Sequence, residues 1–217
     1  MVIIYLILEV ISGFLAVLPF IVFIQFMLTR GFHKKEMMPS YWHMIGVYGL
    51  IFILVSMLSV TGIPSIYNLH FVTNINWIPF KDITTNNLQY ILNIILFVPL
   101  GLVMPLLWKR FASLQKTFRI SFLFSLTIEL SQLFNFRTTD IDDLLMNTLG
   151  GVIGFYLFKF VKHICPSIVQ KIQLVPPPTY TANKLIKLES NLYIWITWLA
   201  TLTLQPIVSN FIYGLFF

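Results

Sequence analysis

The chain reads as an all-α, polytopic transmembrane helix bundle of about six spanning helices, with the N-terminus and C-terminus outside. Three observations predict this. Of the 217 residues, 58% are hydrophobic and only 10% are charged, where a soluble domain carries roughly 25% charged residues. The apolar residues fall in long blocks rather than alternating patches, and about 20 of them suffice to cross a bilayer. Lys and Arg gather in alternate connections between the blocks, as expected where basic loops stay in the cytoplasm.

The blocks are 2–28, 44–62, 88–108, 120–136, 144–161 and 191–211. The first has no basic segment before it and no small-x-small cleavage site after it. It is also too long for the apolar region of a signal peptide, so it reads as a retained span, with Glu9 and Pro19 predicting a kink. The fourth and fifth are the shortest. They are expected to begin below the outer surface and to leave a water-accessible notch.

The basic connections hold Arg30, Lys34 and Lys35; then Lys109, Arg110, Lys116 and Arg119; then Lys159, Lys162, Lys171, Lys184 and Lys187. The remaining basic residues, Lys81 and Arg137, lie in the other connections beside Asp82, Asp140, Asp142 and Asp143. This alternation places a multi-pass protein in a bacterial cytoplasmic membrane. Trp42, Trp77, Trp108 and Trp195 fall near span ends, where amphipathic rings favour the interface. The outer segment 63–87, with Pro64 and Pro79, is expected to lie as a loop on the membrane surface. Val175-Pro-Pro-Pro-Thr179 is a stiff connector. The expected organisation is a five-helix membrane domain at 1–164, a cytoplasmic connector at 165–190 and a sixth helix at 191–217.

Several function classes fall away. The net charge of +6 is distributed as topology signals, not as a nucleic-acid surface. A single Cys165 excludes an intramolecular disulfide. There is no Gly-rich phosphate loop and no Ser-centred elbow. His33, His43 and His163 fall on the cytoplasmic side, and His70 alone outside makes no zinc site. The inverted repeat common in secondary transporters is absent from the sequence.

Polar residues inside apolar blocks carry the functional signal, because each costs free energy to hold in lipid. The richest stretch runs from Glu129-Leu-Ser-Gln132 through Arg137, Asp140, Asp142 and Asp143 to Asn147, Gly150, Gly151 and Gly154. Glu129 and Gln132 share a helix face at i, i+3, and Asp140, Asp143 and Asn147 share another at i, i+3 and i+7, continued by Gly151 and Gly154. Gly150 and Gly154 form a small-xxx-small pair for close helix approach. With the fourth and fifth helices antiparallel, Glu129 is expected to face Asp143 or Asn147, with Arg137 as counter-charge. Asp142 and at least one neighbouring Asp are expected to do only helix-capping duty at a solvated loop. Gln89 and Asn93, at i, i+4 in the third block, reach the same outer-half cavity, and Asn76 sits at its mouth.

Asn76-Trp-Ile-Pro-Phe80, Asn93-Ile-Ile-Leu-Phe-Val-Pro-Leu-Gly101, and Glu129-Leu-Ser-Gln132 followed by Arg137, Asp140, Asp143, Asn147 and Gly151 together resemble the VanZ-like family. The resemblance runs over roughly residues 15–163. It implies an integral membrane protein of the Gram-positive-type cell envelope, in a family named for a member that raises resistance to the lipoglycopeptide teicoplanin. It implies no reaction.

The expected function is binding of a lipid-linked or amphiphilic ligand at an outward-facing intramembrane site. Glu129, Arg137, Asp140 and Asp143 would carry any chemistry, and Asn76, Gln89, Asn93, Gln132 and Asn147 would contact the ligand. An intramembrane hydrolase or transferase acting on a lipid or cell-wall precursor is the alternative, followed by a small proton-coupled transporter. Membrane lipids, a lipid-linked cell-wall precursor or lipoglycopeptide, and a second copy of the chain are the expected partners. The residues name no cofactor and leave a metal open.

Overall fold

A computed structural model describes residues 2–33, 39–62, 64–67, 69–71, 75–81, 87–135, 139–175 and 180–216. Among them the elements run α1 (Val2–His33), α2 (Tyr41–Thr61), β1 (Ile75–Asn76), α3 (Asn87–Leu107), a 3-10 turn (Lys109–Phe111), α4 (Leu114–Gln132), β2 (Thr139–Asp140), α5 (Ile141–Ile164), α6 (Pro166–Ile172), α7 (Tyr180–Thr203) and α8 (Gln205–Phe216). Among the described residues the protein is all-α apart from the two short strands.

Four of these helices, α1, α2, α3 and α5, are long and apolar enough to cross a membrane, and α7 with α8 makes a fifth if the bent pair is one span. The fourth block expected from sequence is not among them. α4 carries Lys116 and Arg119 near its start and spends one face on Thr117, Ser121, Ser125, Glu129 and Gln132, all buried. That spacing of four, four, four and three residues puts a polar stripe along the whole helix, and the stripe lowers the mean hydropathy. The sixth block is broken at Leu204 and bent by 52°. Pro206 has no N–H to give the Leu202 carbonyl, which instead accepts from the Ile66 N–H at 3.4 Å.

The chain forms two compact units, one of residues 1–61, 65–67 and 171–217, the other of 62–64 and 68–170. In the first, α2, α7 and α8 pack on α1. α2 buries His43, Val47, Leu50, Leu54, Met57 and Thr61, alternating steps of four and three that keep one face turned inward. Its outward Ile45, Phe52 and Val60 are just as apolar, because lipid tails solvate a side chain much as a core does. Glu9 finds its partners within this unit: Tyr213 Oη donates to Oε1 at 2.8 Å and Gln205 Nε2 to Oε2 at 2.9 Å.

In the second unit α5 is packed on one side by α3 and on another by α4. The α3–α5 approach depends on glycine. A Cβ on Gly101 would stand 2.0 Å from the Gly151 carbonyl oxygen, one on Gly150 2.2 Å from the Ile94 oxygen, and one on Gly154 2.1 Å from the Val98 oxygen. The small-xxx-small pair read from sequence therefore meets α3, while Gly151 also receives Ser121 of α4. Below this seam Phe155, Phe158 and Val169 form an apolar cluster with Leu102, Leu106, Ala112 and Val161.

Of the tryptophans expected at the interface, Trp42, Trp77 and Trp195 are exposed, but Trp108 is fully buried. It packs edge-on against Phe111 at the α3–α4 turn, with ring centroids 6.3 Å apart. Its position at a span end was legible, whereas its inward direction was set by that turn.

Candidate functional site

The start of α5 collects the polar residues of the second unit. Asp140 has extended backbone (φ −125°, ψ 129°) and is the N-cap of α5, accepting from the Asp142 N–H at 2.9 Å. Its other carboxylate oxygen accepts from Asn76 Nδ2 at 3.1 Å, and its own N–H donates to Glu129 Oε2 at 3.0 Å. These contacts follow from the parallel pairing of β1 with β2, which sets Ile75 opposite Thr139 and Asn76 opposite Asp140. Thr139 Oγ1 closes the corner by donating to the Glu129 carbonyl at 3.1 Å.

Glu129 is 3% exposed. It was expected to face Asp143 or Asn147, yet its carboxylate receives the backbone N–H of Asp140. Asp143 lies toward α3 instead, accepting from Asn93 Nδ2 at 2.5 Å and Gln89 Nε2 at 3.2 Å. Asn147, 2% exposed, donates to Ser125 Oγ of α4 at 3.0 Å, and its carbonyl oxygen has no protein partner. Gln132 is buried on the same face of α4 as Glu129. Arg137 lies outside the described residues.

Asp142 is the residue that sequence reasoning misjudged. It and a neighbouring Asp were expected to cap a solvated loop; the neighbour, Asp140, does cap α5, whereas Asp142 is 3% exposed. Its carboxylate receives the Phe80 N–H at 2.9 and 3.0 Å and Tyr90 Oη at 2.6 Å. The Phe80 ring stacks on the Tyr90 ring with centroids 6.5 Å apart and planes 22° apart. Tyr90 could have been found from its spacing, since it stands three residues before Asn93 on the same helix face. The role of the Phe80 main chain left no such trace.

The segment before α3 is tied into the second unit. Residues 75–81 are bound to the start of α5 through Asn76 and Phe80, and His70 N–H donates to the Phe134 carbonyl at 3.1 Å. Among the described residues, no group of three or more His, Cys, Asp or Glu side chains could hold a metal ion. Asp140 and Asp143 are instead placed as acceptors for amide donors.

The VanZ/LLP1 family model matches residues 47–162, which contain every residue of this cluster. The chain belongs to the VanZ/LLP1 family. It is 37% identical over 98 residues to Protein VanZ of Enterococcus faecium, an alignment covering 45% of this chain and 59% of that relative. The chain thus matches somewhat less than two thirds of that relative's length. No solved structure matches. The matched segment covers α3 and α4 whole and all of α5 but its last two residues. A VanZ-like protein whose helices are this apolar is a membrane protein.

Proposed function

We propose that this VanZ-like protein is a multi-pass protein of the bacterial cytoplasmic membrane whose polar site at the outer end of α5 binds a lipid-linked cell-wall precursor or an amphiphilic lipoglycopeptide. Binding there alters the response of the cell envelope to glycopeptides such as teicoplanin. The observation that carries this reading is Asp143. It is a half-buried carboxylate flanked by two primary amides, Gln89 and Asn93, of which Gln89 is exposed. Together they offer donors and acceptors to a sugar, peptide or amine headgroup. Next to them α3 exposes Leu88, Ile91, Leu92 and Ile95, an apolar strip suited to an acyl chain. The other acids, Asp140, Asp142 and Glu129, are engaged with the chain itself and act as the frame.

A second reading, an intramembrane hydrolase or transferase, rests on Glu129, because a carboxylate held inside a membrane bundle is more often functional than not. It would serve as general acid or base. The test is teicoplanin susceptibility of a deletion strain complemented at matched membrane levels with wild type, Asp143→Asn, Glu129→Gln and Arg137→Ala. The binding reading expects wild type to restore resistance, Asp143→Asn and Arg137→Ala to restore it poorly, and Glu129→Gln to retain part of it. Complete loss in Glu129→Gln at normal stability would favour catalysis. Equal restoration by every variant would sink the site assignment, and no effect of wild type would sink the link to the phenotype.

A further inference from the structure

A second polar cluster forms around Glu9 of α1, in the unit built from α1, α2, α7 and α8. Glu9, Gln205 and Tyr213 all fall outside the residues matched by the family model. α7 and α8 run along α1 in the opposite direction. Tyr193 bonds Gln25, Gln205 bonds Glu9, and the Tyr213 ring stands edge-on to that of Tyr5 with centroids 5.6 Å apart. Gly13 leaves room for the Gln205 amide, whose oxygen lies 3.0 Å from where a Cβ of Gly13 would stand.

Acceptors in this cluster outnumber the hydrogens offered to them. Gln205 has two amide hydrogens and Tyr213 one hydroxyl hydrogen. Gln205 Nε2 lies 2.9 Å from Glu9 Oε2, 3.1 Å from the Glu9 carbonyl and 3.2 Å from Ser59 Oγ. Tyr213 Oη lies 2.8 Å from Glu9 Oε1 and 3.5 Å from the Tyr5 carbonyl. Gln205 is 6% exposed, and its own Oε1 has no protein partner. Turning the amide over would only set that oxygen against the carboxylate. Neutral donors spread the charge of Glu9 without cancelling it, and no Lys, Arg or His among the described residues lies within ion-pair distance. The next basic residue along α1 is Arg30, about 31 Å away at 1.5 Å per residue.

We propose that Glu9, Tyr5 and Tyr213 form a binding site for an ammonium group carried on a membrane lipid headgroup. An ammonium brings only donors and a positive charge, the two things this cluster is short of. The two tyrosine rings, at 66° to one another, make an aromatic corner beside the carboxylate, and such rings attract a cation. Glu9 and Tyr213 are partly exposed and Tyr5 is 40% exposed, so the site is open from outside the bundle. Depth selects the source. α1 has 32 residues, about 48 Å of helix against about 30 Å of hydrocarbon. Centred in the bilayer, it overhangs by about 9 Å at each end. Glu9 stands about 10 Å from its start, at the level where headgroups meet acyl chains.

The experiment measures lipid binding to the full chain in detergent micelles by native mass spectrometry. The probes are phosphatidylethanolamine and its N-acetylated form, which keeps the phosphate and the chains but carries no charge on nitrogen. Wild type should hold phosphatidylethanolamine about tenfold more tightly than the N-acetylated lipid. Glu9→Gln, which keeps the size of the side chain, should bind the two alike, and Tyr5→Leu should lower the preference by about two- to fivefold. Equal binding of the two lipids by wild type overturns the proposal, as does an undiminished preference in either variant. Free ethanolamine at equal concentration should not displace the lipid. If it does, the same ammonium chemistry is supplied from solution and the lipid source is overturned. If Glu9→Gln does not fold, the wild-type comparison of the two lipids decides alone.

Discussion

The Phe80 backbone N–H donates to both carboxylate oxygens of Asp142, 62 residues away, from a backbone held at φ 60°. Positive φ in a bulky residue costs about 1–2 kcal/mol, and Pro79 before it supplies the fixed φ that begins such a turn. The charge-assisted bonds to Asp142 offset that cost and fasten the segment before α3 to α5.

Asp142→Asn should therefore destabilise the protein by roughly 2–3 kcal/mol, the range for losing hydrogen bonds to a buried charge. Tyr90→Phe should cost about 1 kcal/mol. Thermal unfolding in detergent measures both, and limited proteolysis across residues 75–81 should accelerate in step. A double-mutant cycle returning no coupling between the two sites would contradict a shared carboxylate.

Phe80 itself separates strain from stacking. Phe80→Ala keeps the costly φ and loses the ring on Tyr90, whereas Phe80→Gly loses the ring and relaxes the backbone. The glycine variant should be the more stable of the two by about 1 kcal/mol, read from their unfolding midpoints. The opposite order would mean that the backbone there is unstrained.

The glycine seam makes a graded prediction. Gly101→Ala and Gly154→Ala drive a methyl to 2.0 and 2.1 Å from main-chain oxygens of the facing helix, so α3 and α5 must separate. Each should cost on the order of 2–4 kcal/mol. Gly49→Ala and Gly214→Ala meet nothing within 4 Å and should be neutral or slightly stabilising, Ala being the better helix former. Unfolding midpoints of the four variants test the contrast.

Asp143→Asn should behave unlike Asp142→Asn. Asp143 is half-exposed and accepts from the side chains of Asn93 and the exposed Gln89, so its loss should cost at most about 1 kcal/mol of stability. The phenotype should suffer instead. Measuring melting temperature and glycopeptide susceptibility on the same two variants would show whether site and frame are divided between neighbouring acids. Two equal losses of stability would say they are not.

Asn147 and Ser125 join α5 to α4 through one 3.0 Å bond between fully buried partners. Interhelical bonds of this kind average about 0.6 kcal/mol and reach about 1.7. A double-alanine cycle on the pair, read by denaturant unfolding, should return a coupling in that range.

Composition and spacing by themselves determined that the chain is an apolar helix bundle. Blocks of about 20 apolar residues have few other stable states in lipid. Spacing also brought Gln89 and Asn93 onto one face of α3, where both now meet Asp143, and marked Gly150 and Gly154 as a close-packing pair. Local rules reach that far because a helix fixes which residues share a face. Which neighbour each face meets is a tertiary decision: glycine leaves room for a backbone, and only the fold chose α3. Periodicity likewise could not rank Asp142 above Asp143, since adjacent residues on a first turn are separated only by what lies opposite. For Asp142 that was the main chain of Phe80. His43 and Glu189, 146 residues apart, carry no local sign of each other. Their meeting was decided by the packing of α2 and α7.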